Sequence, residues 1–260
     1  MEVLIVPTPD DVAAEAAAMV RAALPADGPG VLGLATGSSP LGLYRELGRA
    51  ASSGALRVAD LSGVALDEYV GLPAGHPQSY RATLEREVCD VVGLSRERLH
   101  VPDGTGADLD ALTAAAAAYE RTIADLGGVD VQILGIGANG HLGFNEPGSA
   151  LTSRTRVKRL SDRTREDNAR FFASVYEVPT HCLTQGLGTI LSARRLVLVA
   201  TGESKALAVS EALEGPLTAS CPGSVLQWHA DAVVVVDEEA GSLLKNRSYY
   251  DASAAGLPGR

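Results

Sequence analysis

The chain is short of aromatic residues, cysteine, positive charge and long apolar runs, and each shortage removes a class of protein. Only 4% of its 260 residues are aromatic against 46% hydrophobic, so the core has to be built from Val, Leu, Ile and Ala. The three cysteines, Cys89, Cys182 and Cys221, are odd in number and widely spaced, with no CxxC pair. That argues against both a disulfide framework and a zinc site. His76, His100, His141, His181 and His229 never fall at the spacing that puts two ligands on one helix face, so neither a metal nor another cofactor is expected. No apolar run approaches the roughly 20 residues of a membrane span. The N-terminal MEVLIVPTPDD lacks the basic start of a signal peptide. A net charge of −10 weighs against nucleic acid, whose phosphate backbone calls for a basic surface. These exclusions leave a reduced, cytoplasmic protein with a small-molecule partner. An anionic ligand is acceptable where a local basic patch reverses the sign.

Six apolar runs punctuate the chain: VLIV (3–6), VLGLA (31–35), LSGVAL (61–66), VQILGI (131–136), LVLVA (196–200) and AVVVV (232–236). Helix-like stretches lie near 10–24, 40–52, 78–92, 108–126, 163–173 and 203–214. Continuous Val/Ile/Leu strands alternating with helices predict an α/β fold: one doubly wound, mostly parallel sheet with helices on both faces, Rossmann-like, in one domain over residues 1–260. Such folds bind ligands outside the carboxyl ends of their strands, so the residues after each run carry the functional reading.

After VLGLA comes Thr36-Gly37-Ser38-Ser39-Pro40, a small hydroxyl-rich loop running into a helix. Free amides and a positive dipole end there suit a phosphate; alternatively Ser39 caps the helix and the loop only connects. Asp67 and Glu68 follow LSGVAL, either as carboxylates at a buried mouth, poised for general-base use, or as a solvated strand end. After VQILGI, the GANGHLGFNEP loop sets His141 a few residues from Glu146, which could hold one ring nitrogen and set its tautomer. Lys205 occupies the first turn of a helix, where the dipole disfavours a cation unless an anion shares that end; a solvent-facing lysine is the plainer alternative. Seven basic residues crowd 154–170, mostly as a solvated face with one or two able to reach a pocket.

GLATGSSP, ALDEYVGL, LGIGANGHLGFNEP, SRTRVK, NARFF and GESKALA, in this order and spacing, resemble the glucosamine-6-phosphate deaminase family over nearly the whole chain. The resemblance implies a hydrolase/isomerase that converts glucosamine 6-phosphate and water to fructose 6-phosphate and ammonia in amino-sugar (N-acetylglucosamine) catabolism, without a metal. Asp67 would move a proton between C2 and C1, and His141, oriented by Glu146, would assist ring opening. Gly37, Ser38 and Ser39, with Arg170 and Lys205, would hold the phosphate; Thr36 and Glu68 fall in the same substrate-contacting motifs. Residues near 160–183 would form a mobile lid. Where many members carry aspartate, this chain has Asn139, a neutral amide inside the catalytic loop. Ser149, Arg156 and Lys158 match positions of a regulatory site found in hexameric members, which allows a homo-oligomer. The wider superfamily keeps two alternatives in view, a 6-phosphogluconolactonase-type hydrolase and a non-catalytic sugar-phosphate sensor.

Overall fold

The structure, a computed structural model, describes residues 1–73 and 75–256. Seven strands form one parallel sheet: β1 (Glu2–Val6), β2 (Gly30–Leu34), β3 (Leu61–Ala65), β5 (Leu99–His100), β6 (Val131–Leu134), β9 (Arg195–Ala200) and β10 (Ala232–Asp237). Their spatial order is β1-β10-β9-β6-β2-β3-β5. All six apolar runs therefore become strands of this sheet, and β2, β3, β6 and β10 are buried along their whole length, as strands covered on both faces must be. From β2 the chain winds outward through β3 to β5; from β6 it winds the other way through β9 and β10. The order reverses between β2 and β6, and the crevice at such a switch point is where an open α/β sheet takes its ligand.

The covering helices start where local chemistry favours a start. Thr8 accepts from the amide of Asp11 at 3.2 Å to open Pro9–Ala23, with proline at its head and Asp10 and Asp11 in the first turn. Asp108 does the same for Leu109–Asp125, through the amide of Ala111 at 2.8 Å. The helix expected near 78–92 is broken inside: Tyr80–Leu84 passes through a π turn, Glu85–Cys89, into Asp90–Val92. A C-terminal helix, Arg247–Ala255, was not foreseen.

A second layer was also not foreseen. β4 (Asp67–Tyr69), β8 (His181–Thr184) and β7 (Arg156–Arg159) form a three-stranded antiparallel sheet, with β8 between its partners. LSGVAL thus does not end in solvent. The chain leaves the main sheet at Ala65 and enters the second one at Asp67. The joint is pinned: the Ala65 carbonyl accepts from Tyr119 Oη at 2.7 Å and Gln185 Nε2 at 2.8 Å, and the Leu66 amide donates to Leu34 O at 3.1 Å. The segment near 160–183 divides accordingly. Residues from Ser161 to Thr180 hold the helix Asp162–Asn168 and short turns, whereas Cys182 and Leu183 are fully buried in β8.

Candidate active site

A cavity of about 680 Å³ opens at the switch point, lined by the loops after β2 and β6, by Asp67, Tyr69 and Tyr80, and by residues of 163–172 and 204–205. Its floor on the β2 side is held by the fully buried Tyr44, whose hydroxyl donates to Ala35 O at 2.7 Å and accepts from Ala35 N at 3.0 Å. Beyond that anchor the chain turns through Gly37 at φ +100, a left-handed conformation that favours glycine. Pro40 stands at the N-cap of Leu41–Ser52, and no side chain caps this helix, so Ser39 does not play the capping role allowed for it. The first amides of the helix lack a side-chain acceptor and meet the cavity with Thr36, Gly37, Ser38 and Ser39.

Two cations complete this end. Lys205 closes the short turn Glu203–Lys205 and lines the cavity half-buried. Burial pulls its ammonium pKa below the usual value; Asp167 pulls it up and Arg170 down. Arg170 also lines the cavity, its guanidinium 4.8 Å above the Phe171 ring. A lysine that feels a neighbouring arginine is placed as a multiply charged anion would require.

The opposite end is drier. Asp67 is 5% exposed, and its pKa is pushed up to about 8 by burial and by the charge of Glu68, against the backbone N–H of Phe144. A Cβ at Gly143 would stand 3.0 Å from Asp67 Oδ2, so glycine lets the histidine loop lie against the carboxylate. Glu68 faces away from the cavity lining. Its oxygens accept from the amides of Tyr69 (2.8 Å), Tyr80 (2.9 Å) and Arg81 (2.9 Å). It is therefore the anchor of Asp67's strand and of the helix carrying Tyr80, and its placement does not fit a substrate contact.

His141 lines the cavity, and burial lowers its pKa while the Glu146 charge opposes that. Nδ1 stands 3.9 Å from Glu146 Oε2, too far for a hydrogen bond, and this buried nitrogen has no hydrogen-bond partner. Asn139 links the two residues another way: its Nδ2 donates to Glu146 Oε2 at 2.8 Å, and its Oδ1 accepts from the His141 amide at 3.2 Å. Hydrogen bonds from Thr164, Asn139 and Ser161, together with His141, hold Glu146 below its usual pKa against burial. Ser161 Oγ (3.0 Å) and Thr164 Oγ1 both donate to Glu146 Oε1, so the helix Asp162–Asn168 is fastened to the loop that carries His141.

Several residues of the site escaped sequence reasoning. Gly137 is one, since a Cβ there would collide with the His141 ring. Tyr69, Tyr80, Phe144 and Phe172 are others, an aromatic wall with Tyr69 and Tyr80 centroids 4.8 Å apart and Tyr80 stacked on Phe144 at 5.6 Å. Asn168 donates to Tyr69 Oη at 3.0 Å. The signals for the wall were Tyr69 after Asp67-Glu68, Phe144 in GFNEP and Phe172 in NARFF. Among the regulatory matches, Arg156 donates to Asn145 Oδ1 at 2.8 Å, Ser149 is buried with an unpartnered hydroxyl, and Lys158 lies two residues along β7 from Arg156. Among the described residues no group of three or more His, Cys, Asp or Glu could hold a metal ion, and no helix is long and apolar enough to cross a membrane.

Fold and site together define an α/β protein in which two cations and the loop after β2 share a switch-point cavity with a buried carboxylate and a histidine. The chain belongs to the glucosamine-6-phosphate isomerase/6-phosphogluconolactonase family of enzymes, whose model matches residues 8–235. It is 52% identical over 250 residues to a glucosamine-6-phosphate deaminase of Arthrobacter sp. (strain FB24), covering 96% of this chain and 95% of that one. It is 53% identical over 250 residues to one from Rhodococcus jostii (strain RHA1), with the same coverage. Among solved structures, a monomeric glucosamine-6-phosphate deaminase superposes with a TM-score of 0.88 at 40% identity, over 94% of this chain and 100% of that one. The 6-phosphogluconolactonase of Leishmania guyanensis, at 22% identity, a TM-score of 0.71, and coverage of 92% and 97%, shares the fold.

Proposed function

We propose that this enzyme converts glucosamine 6-phosphate and water to fructose 6-phosphate and ammonia. The observation that carries the reading is a buried carboxylate, Asp67, facing the same cavity as His141 and two cations, Lys205 and Arg170. The phosphate sits on the amides after Thr36 and on Lys205 and Arg170, which sets the sugar carbons towards Asp67. His141, kept neutral by burial, takes the proton of the anomeric hydroxyl and returns one to the ring oxygen, opening the sugar. Asn139 holds Glu146 and the His141 backbone in register for that step, and Glu146 supplies the charge that balances a transient imidazolium. Ionised Asp67 then removes the proton from C2 and delivers it to C1. The resulting ketose imine takes up water and releases ammonia. Isomerisation with deamination replaces the broader hydrolase label, in keeping with the names of the relatives.

The segment from Ser161 to Thr180 serves as a lid. It is a small unit of its own, bolted by Arg165 to the carbonyls of Val175 (2.9 Å) and Val178 (3.2 Å), and it meets the body through Glu146 and Tyr69. We place the enzyme in cytoplasmic N-acetylglucosamine catabolism, with Ser149, Arg156 and Lys158 available for regulation in a homo-oligomer. Ammonia release from a panel of hexosamine 6-phosphates, run beside 6-phosphogluconolactone, tests the assignment. Turnover of glucosamine 6-phosphate is expected; hydrolysis of the lactone with no ammonia from any amino sugar would overturn it.

A further inference from the structure

Five of the six apolar strands point straight into described chemistry or a simple turn; β10 ends instead in a buried carboxylate with no part in the mechanism above. Asp237 is 3% exposed. Both its oxygens lie 3.0 Å from the amide of Gly202, and Oδ1 also accepts from the amide of Ala240 at 2.8 Å. β10 runs beside β9 with Val236 opposite Ala200, so Asp237 stands level with the residue that leaves β9 for the cavity. Gly202 takes φ +86, and its carbonyl accepts from the amide of Lys205 at 3.0 Å. The turn that presents Lys205 is thus closed on a carbonyl whose own residue is clamped by Asp237.

We infer that Asp237 is a positioning residue for phosphate binding: its carboxylate fixes Gly202 and thereby aims Lys205 into the cavity, some way from any substrate atom. A charge-assisted acceptor on a backbone amide is a stronger tether than a neutral one. The inference rests on the phosphate-binding role proposed for Lys205. Loss of the tether lets the turn drift and weakens phosphate binding in ground and transition states alike, so KM should rise while kcat holds.

The test is a double-mutant cycle in the full chain with Asp237→Ala and Lys205→Ala, read both as kinetics and as calorimetric binding of inorganic phosphate and glucosamine 6-phosphate. Asp237→Ala is expected to raise KM and both dissociation constants roughly tenfold with kcat within about twofold, since a lost charged contact carries an effect of that order. On the Lys205→Ala background the same change should add less than about twofold, because interacting groups are non-additive. Asp237→Asn keeps Oδ1 able to accept from both amides but sets its Nδ2 against the Gly202 N–H, so it should raise KM and both dissociation constants by a smaller factor; it also serves where the alanine variant folds poorly. Full additivity in the cycle, or a fall in kcat with KM unchanged, would overturn the inference. Phosphate binding stays measurable if no amino sugar is turned over, so failure of the deaminase reading and failure of the tether are told apart.

Discussion

The two ends of the cavity are built on opposite principles. At the phosphate end, Gly37, Ser38 and Arg170 are exposed, and the groups on offer are backbone amides and long cations. At the acid–base end, Asp67 and Glu146 are 5% and 7% exposed, and burial raises the pKa of Asp67 while hydrogen bonds and His141 lower that of Glu146. The first end lies open to water, whereas the carboxylates of the second are almost wholly buried. A charge in the open costs little to hold and binds substrate and transition state alike; a buried carboxylate is costly to ionise and acts only where a proton moves. Binding and chemistry should therefore separate cleanly when the two ends are damaged in turn.

The largest effect belongs to the dry end. Asp67→Asn should lower kcat by about 10²–10⁴, the usual range for losing a general base, with KM near wild type. In the wild type, kcat/KM should climb as pH rises through about 8, because only the ionised carboxylate of the free enzyme can accept the C2 proton. A variant with wild-type turnover, or a profile flat across that range, would break the comparison.

Lys205→Ala comes next, at the wet end. Removing a charge-assisted phosphate contact of roughly 1.5–3 kcal/mol should raise KM by about 10–100-fold and leave kcat nearly intact. An unchanged KM would mean that the lysine serves solvent alone.

Glu146→Gln should cost about tenfold in kcat, a range typical of supporting rather than primary groups. Its clearer signature is the His141 ring: without the anion that opposes burial, the imidazole should titrate at lower pH, as nuclear magnetic resonance can follow. An upward shift would contradict the arrangement.

The smallest effect is expected at Asn139. Its amide donates to Glu146 Oε2 at 2.8 Å, a bond that aspartate cannot make when ionised, and the exchange would set two carboxylates face to face. Asn139→Asp should leave kcat/KM unchanged or lower it a few-fold, with the His141 titration moved up. A several-fold gain across neutral pH would show that the native loop lacks a useful charge.

Sequence legibility followed the same divide between strong and weak local signals. The main sheet could be read from its continuous Val/Ile/Leu runs, and all four inspected strand ends led to groups that line the cavity. The second sheet could not be read: DEY and HCLT are too short for periodicity, and RVKR looks like a solvated basic face, since its strand status comes from pairing with β8. Glu68 looked the equal of Asp67 because adjacent residues of a strand point to opposite sides, and only the structure says which side holds the cavity. The spacing of His141 and Glu146 suggested a direct bond, whereas Asn139 takes the Glu146 Oε2 contact and holds the His141 backbone instead. Asp237 was within reach of the rule applied to the other strands, standing immediately after AVVVV; its partner, Gly202, carries no side chain to hint at the link.

The burial of Asp67 also bears on how this protein can evolve. In the native fold the carboxyl keeps its proton up to about pH 8, whereas an ordinary aspartate releases it near 3.8. Between those values the folded chain binds more protons than the unfolded one, so this group's contribution is complete below about 3.8 and drains away as pH rises towards 8. Selection for heat resistance alone, applied near pH 8 without a demand for turnover, should therefore enrich Asp67→Asn, which needs no proton to be neutral. The gain should shrink when the same library is sorted at pH 5. A lineage that has lost the reaction would keep the fold and drift towards the amide at this position, so a carboxylate retained there records continued use.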